Sequence, residues 1–124
     1  MVRALRPGPA ALLLAAATLA IASLVAAPAE ARTRQYILAT ATTGGTYYPV
    51  GVAIATLSKI KLEPAHGFSL SAISSAGSGE NVKLMADGEA QFSILQGLYG
   101  AWARSGTGQL AAAGPQRNLR SVSM

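Results

Sequence analysis

The sequence predicts an α/β fold, in which a parallel β-sheet is flanked by helices and preceded by a signal peptide. Two observations predict the sheet and its helices. Short runs of strand-forming residues alternate with segments whose apolar residues recur at helical spacing. Turns of small and polar residues follow the strands, as in TTGGTYY at residues 42–48. Strands that alternate with helices imply parallel pairing through right-handed crossovers.

Three segments have the composition of β-strands, and a fourth reads as the opening of a strand: residues 35–41, 68–74, 90–96 and 118–124. The fourth ends with the sequence, in the middle of what should be a strand. A three-stranded sheet with an unfinished fourth strand is a poor stopping point, so we expect the chain to be a truncated fragment.

Two helices are predicted between these strands, and their inward faces follow from spacing. The first covers about 47–60, with one apolar face formed by Val50, Ala53, Ile54 and Leu57. The second covers about 79–87, with Val82, Met85 and Ala86 turned inward. Residues 63–67 and 108–116 are predicted loops, and 97–106 is either the start of a helix or an irregular segment.

The first 31 residues predict a secretory signal peptide. Two arginines precede an apolar run over residues 10–27, and Ala-Glu-Ala at 29–31 is typical of a cleavage site. An uncleaved membrane anchor is the alternative, because the run could reach across much of a bilayer. We expect export with cleavage after Ala31, which leaves residues 32–124 as one small domain in the periplasm.

Composition argues for binding rather than catalysis. The chain has no cysteine and a single histidine, so a disulfide framework, a thiolate metal site and most catalytic constellations are excluded. No cofactor, metal site or enzymatic activity is therefore predicted. The formal net charge is +5, but the basic residues are scattered, which gives little support to a nucleic-acid partner. A mildly positive surface favours an anionic ligand.

The candidate site lies in the turns after the strands. Ligands of open parallel sheets bind outside the carboxyl ends of the strands, where helix N-termini offer N–H groups and partial positive charge to an anion. Glycines in these turns allow close approach of a ligand to the backbone, and hydroxyls add hydrogen bonds. The predicted ligand-binding residues are Thr43, Gly45, Thr46, Tyr47, Ser75, Ser78, Asn81 and Gln96. The alternative is that Thr46 and Ser78 only cap helices and that the glycines only turn the chain.

Three segments together resemble the N-terminal part of the TAXI-type solute receptors of TRAP transporters. They are ILATATTGGTYYPVGVAIATLSK, SAISSAGSGENVKLMADGEAQFSILQ and NLRSV, and they span about residues 35–123. The resemblance implies a periplasmic-binding-protein-like (type II) fold with two α/β lobes joined by a hinge. It also implies capture of a small anionic solute, often an amino acid or a dicarboxylate, between the lobes, and delivery to a membrane permease driven by an ion gradient.

The same eight residues occupy the ligand-facing positions that the resemblance implies. The chain is shorter than members of that family, so residues 32–124 are expected to be a partial first lobe. Gly79 also stands where a larger apolar residue is usual in the family. Two other functions remain open at this point: an exported α/β enzyme fragment whose catalytic residues lie in missing sequence, and an exported interaction domain.

Overall fold

The computed structural model describes residues 33–122, so the predicted signal peptide and its cleavage site lie outside the described residues. The elements within this range follow in chain order: β1 (Arg34–Ala39), α1 (Tyr47–Lys61), α2 (Glu63–His66), β2 (Phe68–Ile73), α3 (Ser78–Ala86), β3 (Phe92–Ser93), α4 (Gly97–Ser105) and a 3₁₀ helix (Gly108–Ala113). No helix within residues 33–122 combines the length and the apolar character needed to cross a membrane.

The three strands form one parallel sheet in the order β2–β1–β3. β1 pairs with β2 along its whole length, from Arg34 opposite Phe68 to Ala39 opposite Ile73. The predicted α/β class with a parallel sheet flanked by helices is confirmed. β1 lies at the centre, since it pairs with β2 along one edge and with β3 along the other.

β3 is shorter than predicted, because a side chain replaces part of its pairing with β1. The ladder contains two residue pairs, of which Ala39 opposite Ser93 is the last. Before it, the backbone N–H of Ile37 donates to the side-chain oxygen of Gln91 (3.0 Å), and the N–H of Gln91 donates back to the carbonyl of Ile37 (3.2 Å). The glutamine amide thus satisfies a donor that a longer strand would otherwise pair.

The core is small and centres on Leu38, Ala55 and Leu70. Three aromatic rings pack beside it: Tyr36 stacks on Phe68 at 4.7 Å, and Phe92 meets both rings edge-on at 5.9 and 6.0 Å. The rings belong to all three strands, so their contacts hold the strands in register as well as burying apolar surface.

The predicted apolar face of α1 is wrong. Gly51, Ala55 and Ser58 face the sheet, whereas Ile54 and Leu57 remain 46% and 59% exposed. The predicted Val50 and Ala53 are exposed as well. Gly51 decides the outcome because α1 crosses β1 closely there: a Cβ atom at Gly51 would lie 2.3 Å from Cγ2 of Thr40. The helix is apolar on nearly every side, so hydropathy alone does not identify the face that small residues bring onto the sheet.

Two other expectations differ from the structure, and a third was left open. Residues 63–67 are not a loop throughout, because Glu63–His66 form the short helix α2. The inward face of α3 is partly wrong: Val82 is buried and Met85 half-buried, but Ala86 is exposed. Residues 97–106, for which two interpretations were open, form helix α4.

The predicted fourth strand does not form within the described range, which includes residues 118–122 of it. The segment before it docks on α4 instead, through a hydrogen bond from the N–H of Gln116 to the carbonyl of Ala103 (2.7 Å). The N–H of Leu119 then donates a hydrogen bond to the carbonyl of Gln116 (3.3 Å), which closes a turn. Strand-forming composition is not sufficient here, because a strand also needs a neighbour with free backbone groups.

Candidate functional site

The turns after β1 and β2 lie side by side at one edge of the sheet. We call this the carboxyl edge and define it as residues 40–46, after β1, and residues 74–77, after β2. The backbone N–H of Ser75 donates to the carbonyl oxygen of Ala41 (3.2 Å), which joins the two turns directly. The two turns therefore form one continuous surface, as expected for adjacent parallel strands.

Asn81 lies beneath the carboxyl edge and ties its parts together. Its side chain is fully buried, and its amide nitrogen donates to the carbonyls of Thr40 (2.7 Å) and Ile94 (2.9 Å). Its amide oxygen accepts a hydrogen bond from the hydroxyl of Ser75 (2.6 Å). Asn81 thus connects the ends of β1 and β3 with the turn after β2. The polar groups of its side chain are thus already hydrogen-bonded within the protein. Its contact with a ligand stays a prediction.

Ser78 has a different role from the predicted helix cap. Gly77 occupies the N-cap position of α3, with φ of 105°, a conformation that favours glycine. Ser78 is the first residue of the helix, and its buried hydroxyl accepts a hydrogen bond from the backbone N–H of Gln96 (3.0 Å). This contact brings the start of α4 to the same edge, where the side chain of Gln96 is exposed.

The turn after β1 is the open part of the carboxyl edge. Thr43 and Thr46 are exposed, and Gly45 and Tyr47 are half-buried. The N–H of Gly45 donates to the carbonyl of Thr42 (2.9 Å), which closes the turn. Thr46 occupies the N-cap position of α1, but its backbone is already helical and its side chain caps no N–H group. The predicted side-chain cap is therefore wrong, because capping requires an extended backbone at this position.

The two helix N-termini at this edge differ in charge. The first turn of α1 contains no acidic residue. The first turn of α3 contains Glu80, whose carboxylate accepts a hydrogen bond from the backbone N–H of Ala76. A negative side chain thus already occupies the positive end of α3. An anionic ligand would find uncapped N–H groups at α1 but a like charge at α3.

The predicted ligand-binding residues all lie at or directly beneath the carboxyl edge. Hydrogen bonds join Ser75 to Asn81 and Ser78 to Gln96, while Thr43, Gly45, Thr46 and Tyr47 lie in and directly after the turn that follows β1. Ser78 and Asn81 are buried, and the other six are at least partly accessible. Their contact with a solute remains a prediction.

Sequence reasoning missed three residues that shape the sheet and its carboxyl edge. Thr40 is fully buried, and its hydroxyl donates to the carbonyl of Ile73 at the end of β2 (2.6 Å). Gln91 completes the pairing of β1 with β3, and Glu80 supplies the negative charge. A signal was present for Thr40 alone, as a polar residue between two alanines at the end of a buried strand.

Metal-ligating side chains do not cluster in the part of the chain that the structure describes: it contains no group of three or more His, Asp or Glu residues. Apart from the carboxylate of Glu80, the polar groups at the carboxyl edge are backbone groups, hydroxyls and amides. Such groups bind a solute by hydrogen bonding.

Comparison with protein families assigns the chain. The model of the NMT1-like family matches residues 38–124, which include the last two residues of β1 and both turns of the carboxyl edge. The chain belongs to the NMT1-like family. NMT1-like proteins are periplasmic-binding-protein-like, so the match supports a solute-binding function. No curated protein matches the chain significantly.

Proposed function

We propose that this NMT1-like protein is the periplasmic solute receptor of a TRAP-type transporter, of the TAXI kind. In this proposal the chain is exported by its signal peptide and binds a small anionic solute, an amino acid or a dicarboxylate. It presents the solute to a membrane permease for uptake driven by an ion gradient. The receptor acts by reversible binding and catalyses no reaction.

One observation carries the proposal: two turns rich in glycine and hydroxyl groups meet at the carboxyl edge of a parallel sheet. The hydrogen bond between Ser75 and Ala41 makes them one surface. This is the position at which open α/β sheets bind ligands, and membership of a solute-binding family points the same way.

The charge distribution favours the turn after β1 as the place for the anion. The N-terminus of α1 carries a partial positive charge of roughly half an elementary charge. Thr43 and Thr46 expose hydroxyls beside it, and Tyr47 forms a partly apolar wall. Glu80 disfavours a second negative group at α3, so an amino acid would direct its carboxylate to α1 and its ammonium group towards Glu80.

The proposal is tested by a thermal-shift screen of the mature chain against amino acids and dicarboxylates, followed by calorimetric titration of the solutes that raise the melting temperature. Thr46→Ala removes one exposed hydroxyl at the candidate site. We expect it to weaken binding by roughly two- to tenfold, the value of one hydrogen bond. Thr56→Ala is the matched control, because the hydroxyl of Thr56 bonds within α1, to the carbonyl of Val52 (2.8 Å).

Glu80→Gln separates an amino acid from a dicarboxylate. The variant keeps an oxygen that can accept from Ala76 but removes the negative charge. A dicarboxylate should then bind several-fold more tightly at low salt, and an amino acid more weakly, because a charge at about 4 Å contributes about 1 kcal/mol in water. The receptor proposal would be abandoned if no such solute bound, or if Thr46→Ala and Thr56→Ala had equal effects on binding.

A further inference from the structure

The C-terminal third of the described chain carries an unbalanced positive charge. Residues 90–122 contain three arginines and no aspartate or glutamate. These residues, Arg104, Arg117 and Arg120, line a single open depression of about 840 Å³, together with Ala101 and Ser105. All three arginines are exposed. None of these lining residues belongs to the turns of the carboxyl edge.

Tight packing of the chain reversal after α4 brings the three arginines together. The chain turns at Gly106, whose φ of 67° favours glycine and whose Cβ, if present, would lie 2.6 Å from the nitrogen of Pro115. The hydrogen bond from Gln116 to the carbonyl of Ala103 then fixes the returning segment against the last turn of the helix. Residues distant in sequence thereby come to share one surface.

The aromatic side of the same reversal is equally close-packed. Trp102 meets Tyr99 edge-on at 5.2 Å, and the hydroxyl of Tyr99 donates to Gln109 (2.6 Å). A Cβ atom at Gly108 would lie 2.3 Å from the indole ring of Trp102. The chain reversal that brings the arginines together is therefore close-packed on its aromatic side as well.

One guanidinium group is held in place by the backbone. Nη1 of Arg120 donates to the carbonyls of Arg117 (2.6 Å) and Leu119 (2.9 Å). Arg104 lies in the last turn of α4, where the negative end of the helix dipole favours a cation. Within residues 33–122, no carboxylate lies within salt-bridge distance of any of the three guanidinium groups.

Three like charges that share a depression repel one another, and a multiply charged oxyanion would relieve this repulsion. A phosphate group fits best, because its oxygens accept paired hydrogen bonds from the planar guanidinium fork. We propose that Arg104, Arg117 and Arg120 form a second anion site on this protein, which binds a phosphate group. The open depression admits either free phosphate compounds or the phosphate of a lipid headgroup.

Inorganic pyrophosphate is the soluble probe, titrated into the mature chain by calorimetry. The double variant Arg117→Gln/Arg120→Gln should weaken binding at least tenfold, since it removes two charge-assisted contacts. The control is Lys59→Gln/Lys61→Gln, which removes the same charge from exposed positions on α1. We expect the control to weaken binding less than about twofold, as an effect of net charge alone.

Vesicles of phosphatidylcholine, with and without phosphatidylglycerol, form the lipid arm. Sedimentation with the anionic vesicles that is lost in the arginine double variant assigns the site to a lipid headgroup, and binding of pyrophosphate alone assigns it to a soluble phosphate compound. Failure of the wild-type chain to bind either probe overturns the proposal, as does an equal loss in both double variants.

Two further measurements separate this site from folding defects and from the solute site. Arg117→Lys/Arg120→Lys keeps the positive charge but removes the paired hydrogen-bond donors of the guanidinium groups. Its affinity for pyrophosphate should therefore lie between those of the wild type and the glutamine variant. Circular dichroism verifies that the variants are folded. Thr46→Ala should leave pyrophosphate binding unchanged, whereas competition between pyrophosphate and the solute for one site would contradict a second site.

Discussion

Replacing Asn81 by alanine tests whether one buried amide holds the carboxyl edge together. The substitution removes hydrogen bonds to the carbonyls of Thr40 and Ile94 and one from the hydroxyl of Ser75. Each bond contributes about 1 kcal/mol, so about 3 kcal/mol is lost. The better helix propensity of alanine returns about 0.5 kcal/mol. The expected loss of about 2.5 kcal/mol is a large part of the roughly 5–13 kcal/mol typical of a domain of this size.

Urea denaturation followed by circular dichroism measures this loss as a change in the free energy of unfolding. Asn118→Ala is the matched control, because Asn118 is exposed and should lose less than about 0.5 kcal/mol. The reasoning is refuted if the Asn81 variant loses no more than the Asn118 variant.

Asn81→Asp supplies a second test with a pH signature. The aspartate would direct a carboxylate oxygen at two carbonyl oxygens, which disfavours its charged form and raises its pKa in the folded state. A raised carboxyl pKa costs stability above the ordinary pKa of about 4 and costs none below it. The difference in free energy of unfolding between this variant and the wild type should therefore shrink as the pH falls towards 4.

Two further predictions concern packing and charge. Gly51→Ala should lower the free energy of unfolding by about 1–2 kcal/mol, because its Cβ would lie 2.3 Å from Thr40. Gly100→Ala is the control: its Cβ would lie in open space on α4, so the better helix propensity of alanine should raise the free energy of unfolding by about 0.5–1 kcal/mol in the same denaturation assay. The hydrogen bond from Lys83 to Asp87 (2.5 Å) raises the pKa of that lysine, so Asp87→Asn should return it towards 10.5 in an NMR titration. A raised lysine pKa stabilises the fold below pH 10.5, and this stabilisation is lost as the pH rises through the raised pKa. The variant should therefore be less stable than the wild type at neutral pH and equally stable only at a pH above the raised lysine pKa.

The strands and the first turn were predictable because their signals are local. The apolar run that ends at Ala39 and the glycines at 44 and 45 indicate a strand followed by a turn wherever they occur. The alternation of strands and helices then implies a parallel sheet, and parallel strands end at one edge. The position of the candidate site followed from these facts.

The roles of individual residues within the site depended on distant partners. The contact of Asn81 with a ligand stays a prediction, but its hydrogen bonds could not be predicted, because they reach carbonyls 13 and 41 positions away. The choice of inward face on α1 depended on the contact between Gly51 and Thr40, since apolar residues surround the helix. No pattern within α1 contains that information.

By itself the sequence determined the α/β class, the order of the main elements and the turns that follow the first two strands. These depend on backbone propensity and on the period of apolar residues, which act over a few neighbouring positions. Only the tertiary structure decided which side of α1 is buried, that residues 118–122 form no strand, and that Arg104, Arg117 and Arg120 share a surface. The physical reason is that these outcomes depend on contacts between residues far apart in the chain, where steric fit and the availability of hydrogen-bonding partners outweigh local preference.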